Sequence, residues 1–254
     1  MIKLISKDKE KISFITDMSE SLANAIRRSV LEIPILAIDE VEIFKNDSAL
    51  FDEVLAHRIG LTPLMTEKTF KEMEKCSCKG KGCSKCSVDL KIKAKGQCTV
   101  YSKELKGKVK PIYDKIPLVV LNEEQELELV ARARLGKGTE HIKFSPGLVY
   151  YRNLAKINLD KNCDGCKECI EACPQKILKI EKNKAEIDEF YRCDLCEACV
   201  EACKKHGKNA IKIEKDKELA FFIESWGQIK AEEIFTGATK QLLDNLKELE
   251  KEIK

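Results

Sequence analysis

Eight cysteines in two matching runs narrow the fold more than any other part of this sequence. Cys163, Cys166, Cys169 and Cys173 recur thirty residues later as Cys193, Cys196, Cys199 and Cys203. The tails repeat as well. Ile177-Leu-Lys-Ile-Glu-Lys182 returns as Ala210-Ile-Lys-Ile-Glu-Lys215 at an offset of thirty-three, so the second copy holds three extra residues around His206 and Gly207. The spacing C-x2-C-x2-C-x3-C belongs to bacterial-type [4Fe–4S] sites, in which three thiolates wrap one cubane and the fourth reaches the other cluster. Crossed ligand sets follow: Cys163, Cys166, Cys169 and Cys203 for cluster one, and Cys193, Cys196, Cys199 and Cys173 for cluster two. Disulfides or zinc would have to account for eight cysteines in duplicated register. Lys204 stands where the first copy has Pro174, which keeps the ligand count and alters the local geometry of the second site.

The other cysteines form a second group. All 13 lie between positions 76 and 203, and Cys76-x-Cys78-x4-Cys83-x2-Cys86 offers four thiolates, with Gly80 and Gly82 permitting a tight reversal. A structural zinc is the preferred reading of this group; free thiols or a redox-labile disulfide are the alternatives. Cys98 has no partner in the pattern and reads as a buried or idle thiol. Clustered thiols suit metal ligation in a reducing compartment better than disulfides. Apolar runs such as Leu219 to Ile223 fall far short of the ~18 residues of a membrane helix, and the lysine-rich start lacks a signal-peptide core. The expected location is the cytoplasm, with no membrane contact.

Catalytic signals are missing from the pattern. His57, His141 and His206 are dispersed, Gly136-x-Gly138 lacks the third glycine of a dinucleotide site, and neither a P-loop nor an aspartate-rich metal motif occurs. A net charge of +3, from 46 bases against 43 acids, does not argue for a chain that coats nucleic acid. The lysines at 91, 93, 95, 106, 108 and 110 motivate a local nucleic-acid-binding reading all the same.

Periodicity predicts a strand over Lys11 to Thr16, a helix from Asp17 or Ser19 to about Glu32 ended by Pro34, and a strand over Ile35 to Phe44. Further strands are expected at Val88 to Ala94, Cys98 to Ser102, Leu127 to Leu135 and Leu219 to Glu224. A long helix is expected over Gln228 to Ile253, with Phe235, Ala238, Leu242, Leu246, Leu249 and Ile253 as its seam.

The cysteine module is similar to two-cluster ferredoxins. Outside it, Ser21-Leu-Ala-Asn-Ala-Ile-Arg-Arg28, Ile33-Pro-Ile-Leu-Ala-Ile-Asp-Glu-Val-Glu-Ile43, Leu55-Ala-His-Arg-Ile-Gly-Leu-Thr-Pro-Leu64, Gly138-Thr-Glu-His-Ile-Lys-Phe-Ser-Pro146 and Phe222-Ile-Glu-Ser-Trp-Gly227 resemble the RNA polymerase α-subunit N-terminal-domain family in its archaeal form. The resemblance implies an α+β fold: a discontinuous RNA polymerase α-like dimerisation domain over 1–44 and 218–254, an inserted strand-rich domain over 45–158, and a ferredoxin-like 2×[4Fe–4S] domain over 159–217. It implies a non-catalytic assembly subunit of DNA-directed RNA polymerase that pairs with subunit L. The pair would recruit the second-largest subunit and the small zinc subunits N and P, and would meet DNA only through the holoenzyme. Cys76, Cys78, Cys83 and Cys86 fall where some relatives hold zinc. The competing reading is a ferredoxin-type electron carrier or oxidoreductase subunit.

Overall fold

The computed structural model describes residues 2–67, 69–160, 163–181 and 184–254. Lys182, the end of the first repeat tail, lies outside the described residues. The chain opens with β1 (Ile2–Lys7) and β2 (Lys11–Thr16), joined by a turn in which the Asp8 carboxylate accepts the Glu10 and Lys11 N–H groups. Ser19 starts α1 (Glu20–Ser29) by accepting the Leu22 N–H on its hydroxyl, the role of an N-terminal cap. A short 3-10 turn over Val30–Glu32 follows, and Ile33, extended ahead of Pro34, ends the helical run. Next come β3 (Ile35–Asn46), α2 (Asp52–Gly60), β4 (Ser87–Lys95), β5 (Cys98–Tyr101), β6 (Lys106–Gly107), β7 (Pro117–Leu121), β8 (Glu126–Gly136) and β9 (Gly147–Leu159). The cysteine module contributes α3 (Glu168–Ala172), β10 (Leu178–Glu181), β11 (Lys184–Ile187) and α4 (Ala198–Lys205). The long β12 (Ile211–Ser225) and α5 (Ala231–Ile253) close the chain.

These elements form two compact units. The larger comprises Asp8–Ile12, Asn24–Val149 and Ile223–Lys254. Its sheet runs in the order β3-β8-β4-β6, with antiparallel pairing throughout, and a β5-β7 ribbon accompanies it. Burial alternates along β4 and β8, the signature of a sheet with one face in a core. Leu90 and Ile92 of β4, Leu127, Leu129 and Ala131 of β8, and Leu36 and Ile38 of β3 supply that core, and Leu55 and Ile59 of α2 pack into the same cluster.

The smaller unit takes the chain up to Lys7, Ser13–Ala23 and Tyr150–Phe222. Its main sheet has the order β1-β2-β12-β9. Ring pairs add to its packing: Phe14 on Phe221 at 5.5 Å and Tyr150 on Phe222 at 4.8 Å between centroids. The segment expected as a short strand at Leu219 to Glu224 is the end of a single 15-residue strand, β12. The second repeat tail runs straight into it, because no glycine or proline interrupts Ile211 to Ser225.

Candidate iron–sulfur and zinc centres

Folding sorts the eight repeated cysteines into two groups of four. Cys163, Cys166 and Cys169 line one cavity together with Cys203, while Cys193, Cys196 and Cys199 line a second together with Cys173. The cavities are close in size, about 320 and about 350 Å³ of empty space. The sequence pattern predicts the same partition. Its mechanical basis is that α3 and α4 each follow a cysteine loop and end at or near the remote cysteine, Cys173 or Cys203.

The two loops share an unusual backbone. Gly165 and Lys167 sit at φ +74° and +72°, and Leu195 and Glu197 at +56° and +58°, the second and fourth residues after each leading cysteine. Left-handed conformations cost a residue with a Cβ on the order of 1 kcal/mol. Their repetition at matched positions shows that both loops are shaped for the same purpose. Successive residues of this kind turn backbone N–H groups inward, a geometry that suits an anionic guest.

Electrostatics point the same way. Burial pushes the Cys169 thiol upward, reinforced by Cys166, Cys163 and Cys203. Burial likewise raises Cys193, with Cys196 and Cys173 adding to it, and pushes Cys199 up to about 11 with help from Cys173 and Cys193. Cys169, Cys193 and Cys199 thus resist ionisation unless a cationic core takes up their charge, which is what an iron–sulfur cluster would supply. The donor set fits the group.

The second cysteine group is also brought together. All four sulfurs of Cys76, Cys78, Cys83 and Cys86 lie within 4.8 Å of one another. Separations are 3.6 Å for Cys76 to Cys83, 3.5 Å for Cys78 to Cys86 and 3.8 Å for Cys83 to Cys86. Four sulfurs at ~2.3 Å from a tetrahedral zinc stand ~3.8 Å apart, so the spacing fits that ion and is far too long for a disulfide. The Cys78 N–H lowers Cys76 to about 6, whereas burial pushes Cys86 up to about 12. The Cys83 N–H donates to the Cys86 sulfur at 3.3 Å, a contact that steadies a metal-bound thiolate.

Other singled-out residues stay apart from these centres. Cys98 is exposed on β5 opposite Leu121, so the buried alternative for it is wrong. His57 is exposed on α2, and the His141 ring accepts the Lys143 N–H at 3.1 Å, a turn contact. The lysine strip on β4 is partly neutralised, since Lys93 pairs with Glu128 and Lys95 with Glu126. Pattern reading missed the neighbours of the cysteine loops: Asp164 and His206 beside Cys166, and Arg152 and Gln175 on Asp194. The repeated Cys-Asp-x-Cys at 163 and 193 was the available signal. Among the described residues, no helix is long and apolar enough to cross a membrane.

Residues 41–149 match the family model of the RNA polymerase Rpb3/RpoA insert domain, and residues 153–207 that of the 4Fe-4S dicluster domain. A polymerase-type sheet domain and a dicluster module on one chain define a class, α-like RNA polymerase subunits that carry an iron–sulfur domain. Subunit Rpo3 of the DNA-directed RNA polymerase of Methanothermobacter thermautotrophicus is 44% identical over 186 residues, 70% of either chain. The Rpo3 of Archaeoglobus fulgidus is 36% identical over 257 residues, 98% of this chain and 96% of that one. The Rpo3 of Methanosphaera stadtmanae is 37% identical over 251 residues, 93% and 92% of the two chains. The chain belongs to the archaeal Rpo3 family of RNA polymerase subunits. It has the α+β fold of that family with a ferredoxin-like iron–sulfur domain, and a free electron carrier is not favoured, because the insert-domain match lies outside the cysteine module.

Proposed function

We propose that this chain is a non-catalytic assembly subunit of archaeal RNA polymerase, pairing with subunit L to form the platform on which the second-largest subunit and the small subunits N and P gather. The observation that carries this reading is the course of α5. Ile234 and Ala238 are buried in the chain's own core, but Leu243, Leu246, Leu249 and Ile253 are 52–77% exposed on the last turns. A monomer gains nothing from such a stripe; a partner helix covers it. In this reading residues 1–44 and 218–254 form the dimerisation part, and no residue of this chain takes part in nucleotide chemistry.

The eight cysteines hold two [4Fe–4S] clusters, Cys163, Cys166, Cys169 and Cys203 one, and Cys193, Cys196, Cys199 and Cys173 the other. When bound, the clusters supply charge neutralisation and covalent cross-links to a small core that is otherwise lined by thiols. Cys76, Cys78, Cys83 and Cys86 hold one structural zinc, which ties together a stretch between α2 and β4 that has no strand or helix among the described residues. Metal binding and local folding are then coupled. The polymerase works in the cytoplasm and brings this chain to DNA only as part of the assembly.

Anaerobic co-expression with subunit L tests the reading. A stable one-to-one complex is expected, and Leu246→Glu with Leu249→Glu should abolish it without unfolding this chain. A chain that stays alone beside excess subunit L sinks the proposal.

A further inference from the structure

Asp164, Cys166 and His206 place a carboxylate oxygen, a thiol sulfur and a ring nitrogen within 4.8 Å of one another at the rim of the first cysteine cavity. Carboxylate, thiolate and imidazole all bind iron. The histidine arrives there through α4. It caps the helix C-terminus, its N–H donating to the Ala202 carbonyl at 3.1 Å, and Gly207, at φ +78°, donates its own N–H to the Lys204 carbonyl at 2.9 Å. One short helix therefore presents buried Cys203 to the cavity and exposed His206 to its rim. His206 lies among the residues by which the second repeat exceeds the first.

Among the described residues the second cavity has no such trio. At its equivalent corner Asp194 is held by Arg152 at 2.8 Å and by Gln175, much as Asp164 is held by Lys208 at 3.4 Å, so the histidine is what differs: the chain's other two are His57 and His141, both outside the module. Within the first cavity the corners also differ. Cys169 and Cys203 are buried, and the Cys163 sulfur accepts the Ala185 N–H at 3.4 Å. Cys166 is half-buried, and no hydrogen bond to its sulfur is found among the described residues. It is the least restrained corner and the one next to a spare donor.

We propose that His206 is a reserve iron ligand for cluster one, replacing Cys166 at its iron when that thiolate is removed. The proposal rests on the reading that Cys163, Cys166, Cys169 and Cys203 hold a cubane. In the exchange the iron–sulfur bond to Cys166 breaks with its electron pair kept by sulfur, and an electrophile such as an alkylating agent captures the thiolate. A nitrogen lone pair of His206 forms the new iron–nitrogen bond. No oxidation state changes. The ligand set loses one negative charge, and imidazole in place of thiolate raises the reduction potential.

The test uses the full chain purified anaerobically. Wild type should hold about eight irons, the sum of two cubanes. Fewer overturns the cluster reading itself, independently of His206. Cys166→Ala is expected to keep about eight irons, to show a nitrogen coupling in pulsed electron paramagnetic resonance of the reduced cluster, and to have a more positive midpoint. His206→Ala added to it should bring the count down to about seven or four and erase the coupling. Cys196→Ala alone, lacking a reserve, should lose iron directly. A Cys166→Ala chain with about seven or four irons and no nitrogen coupling overturns the proposal. If that variant holds neither cluster, peptide mapping of wild type treated with iodoacetamide decides. Label on Cys166 with iron retained in wild type, and with iron lost in His206→Ala, is expected. Label accompanied by iron loss in both, or no label on Cys166, overturns it.

Discussion

Asp39 and Arg134 meet across neighbouring strands at 2.6 Å, and Lys143 reaches the other carboxylate oxygen of Asp39 at 2.7 Å. Asp39 falls at a register shift of the β3–β8 pair, between Ile38 and Glu40, so a bulge leaves it outside the regular pairing. Arg134 also donates to Glu140 at 3.0 Å, and both cations stand about 5 Å over the buried Phe144 ring. Two of the segments that resemble the polymerase family, those around Asp39 and around Glu140, are thus tied to one strand of the core sheet.

This cluster predicts an acid dependence. Burial on its own would raise the Asp39 pKa, but the Lys143 and Arg134 hydrogen bonds outweigh it and hold the carboxyl below 3.8. A depressed carboxyl gives stability that is complete above its unfolded value near 4 and is lost as pH falls through the lower folded value. Asp39→Asn should therefore cost about 1 kcal/mol at pH 7, less than a fully buried charge-assisted bond because the site keeps solvent contact. The difference from wild type should shrink below about pH 4. Paired urea titrations of the two chains at pH 7 and pH 3 measure it, and equal gaps at both values refute the assignment.

The proposed crossed ligation makes a prediction opposite to that of two runs each closing its own cluster. Cys203 belongs to the second cysteine run but lines the first cavity, and Cys173 does the reverse. Cys203→Ala should disturb the signal of cluster one and leave that of cluster two, with Cys173→Ala giving the mirror result. Magnetic resonance of the reduced chains, compared with Cys169→Ala and Cys199→Ala as references, distinguishes them. Matching spectra for Cys203→Ala and Cys199→Ala would mean that each run closes its own cluster.

The gathering of the eight cysteines around two cavities was legible because ligand spacing is a local property that a helical turn converts directly into geometry. The strands β4 and β8 were legible to within about a residue because one face of each is buried and alternation survives in the sequence. Two things were not. The unbroken β12 hides behind a charged stretch, Glu214 to Glu218, which reads as a linker until the sheet supplies partners on both sides. The expected seam of α5, Phe235, Ala238, Leu242, Leu246, Leu249 and Ile253, omits Ile234, which is buried, and Leu243, which joins the exposed stripe, because only the packing tells which apolar residues of a helix face inward.

The zinc proposed for Cys76, Cys78, Cys83 and Cys86 carries a stoichiometry. One equivalent of zinc should be released when a mercurial titrates the thiols of the full chain, and Cys83→Ala should be isolated without it. Because the sulfurs draw together residues 76–86 beside Ser87, where β4 begins, loss of the ion should loosen that end of the larger unit's sheet first. Hydrogen exchange at Ser87 and Val88 reads this. Unchanged protection there after complete zinc removal would show that the ion is not structural.

Two leucines separate what holds the chain together from what the proposed partner, subunit L, would supply. Leu90 is fully buried in the core of the larger unit, and cutting it to alanine should cost about 2–5 kcal/mol in the isolated chain. Leu246 is 54% exposed on α5, so Leu246→Ala should change the isolated chain by less than about 0.5 kcal/mol, in the range of ordinary surface substitutions. In the presence of subunit L the order should reverse in kind. Leu246→Ala should weaken the complex by about 1 kcal/mol or more, roughly a fivefold rise in Kd, because a side chain that water now touches becomes part of a dry interface. Leu90→Ala should lower the amount of folded chain but leave the affinity of the folded fraction unchanged. Thermal unfolding of each chain alone, followed by calorimetric titration with subunit L, separates the two effects. An unchanged Kd for Leu246→Ala would place the partner on another face.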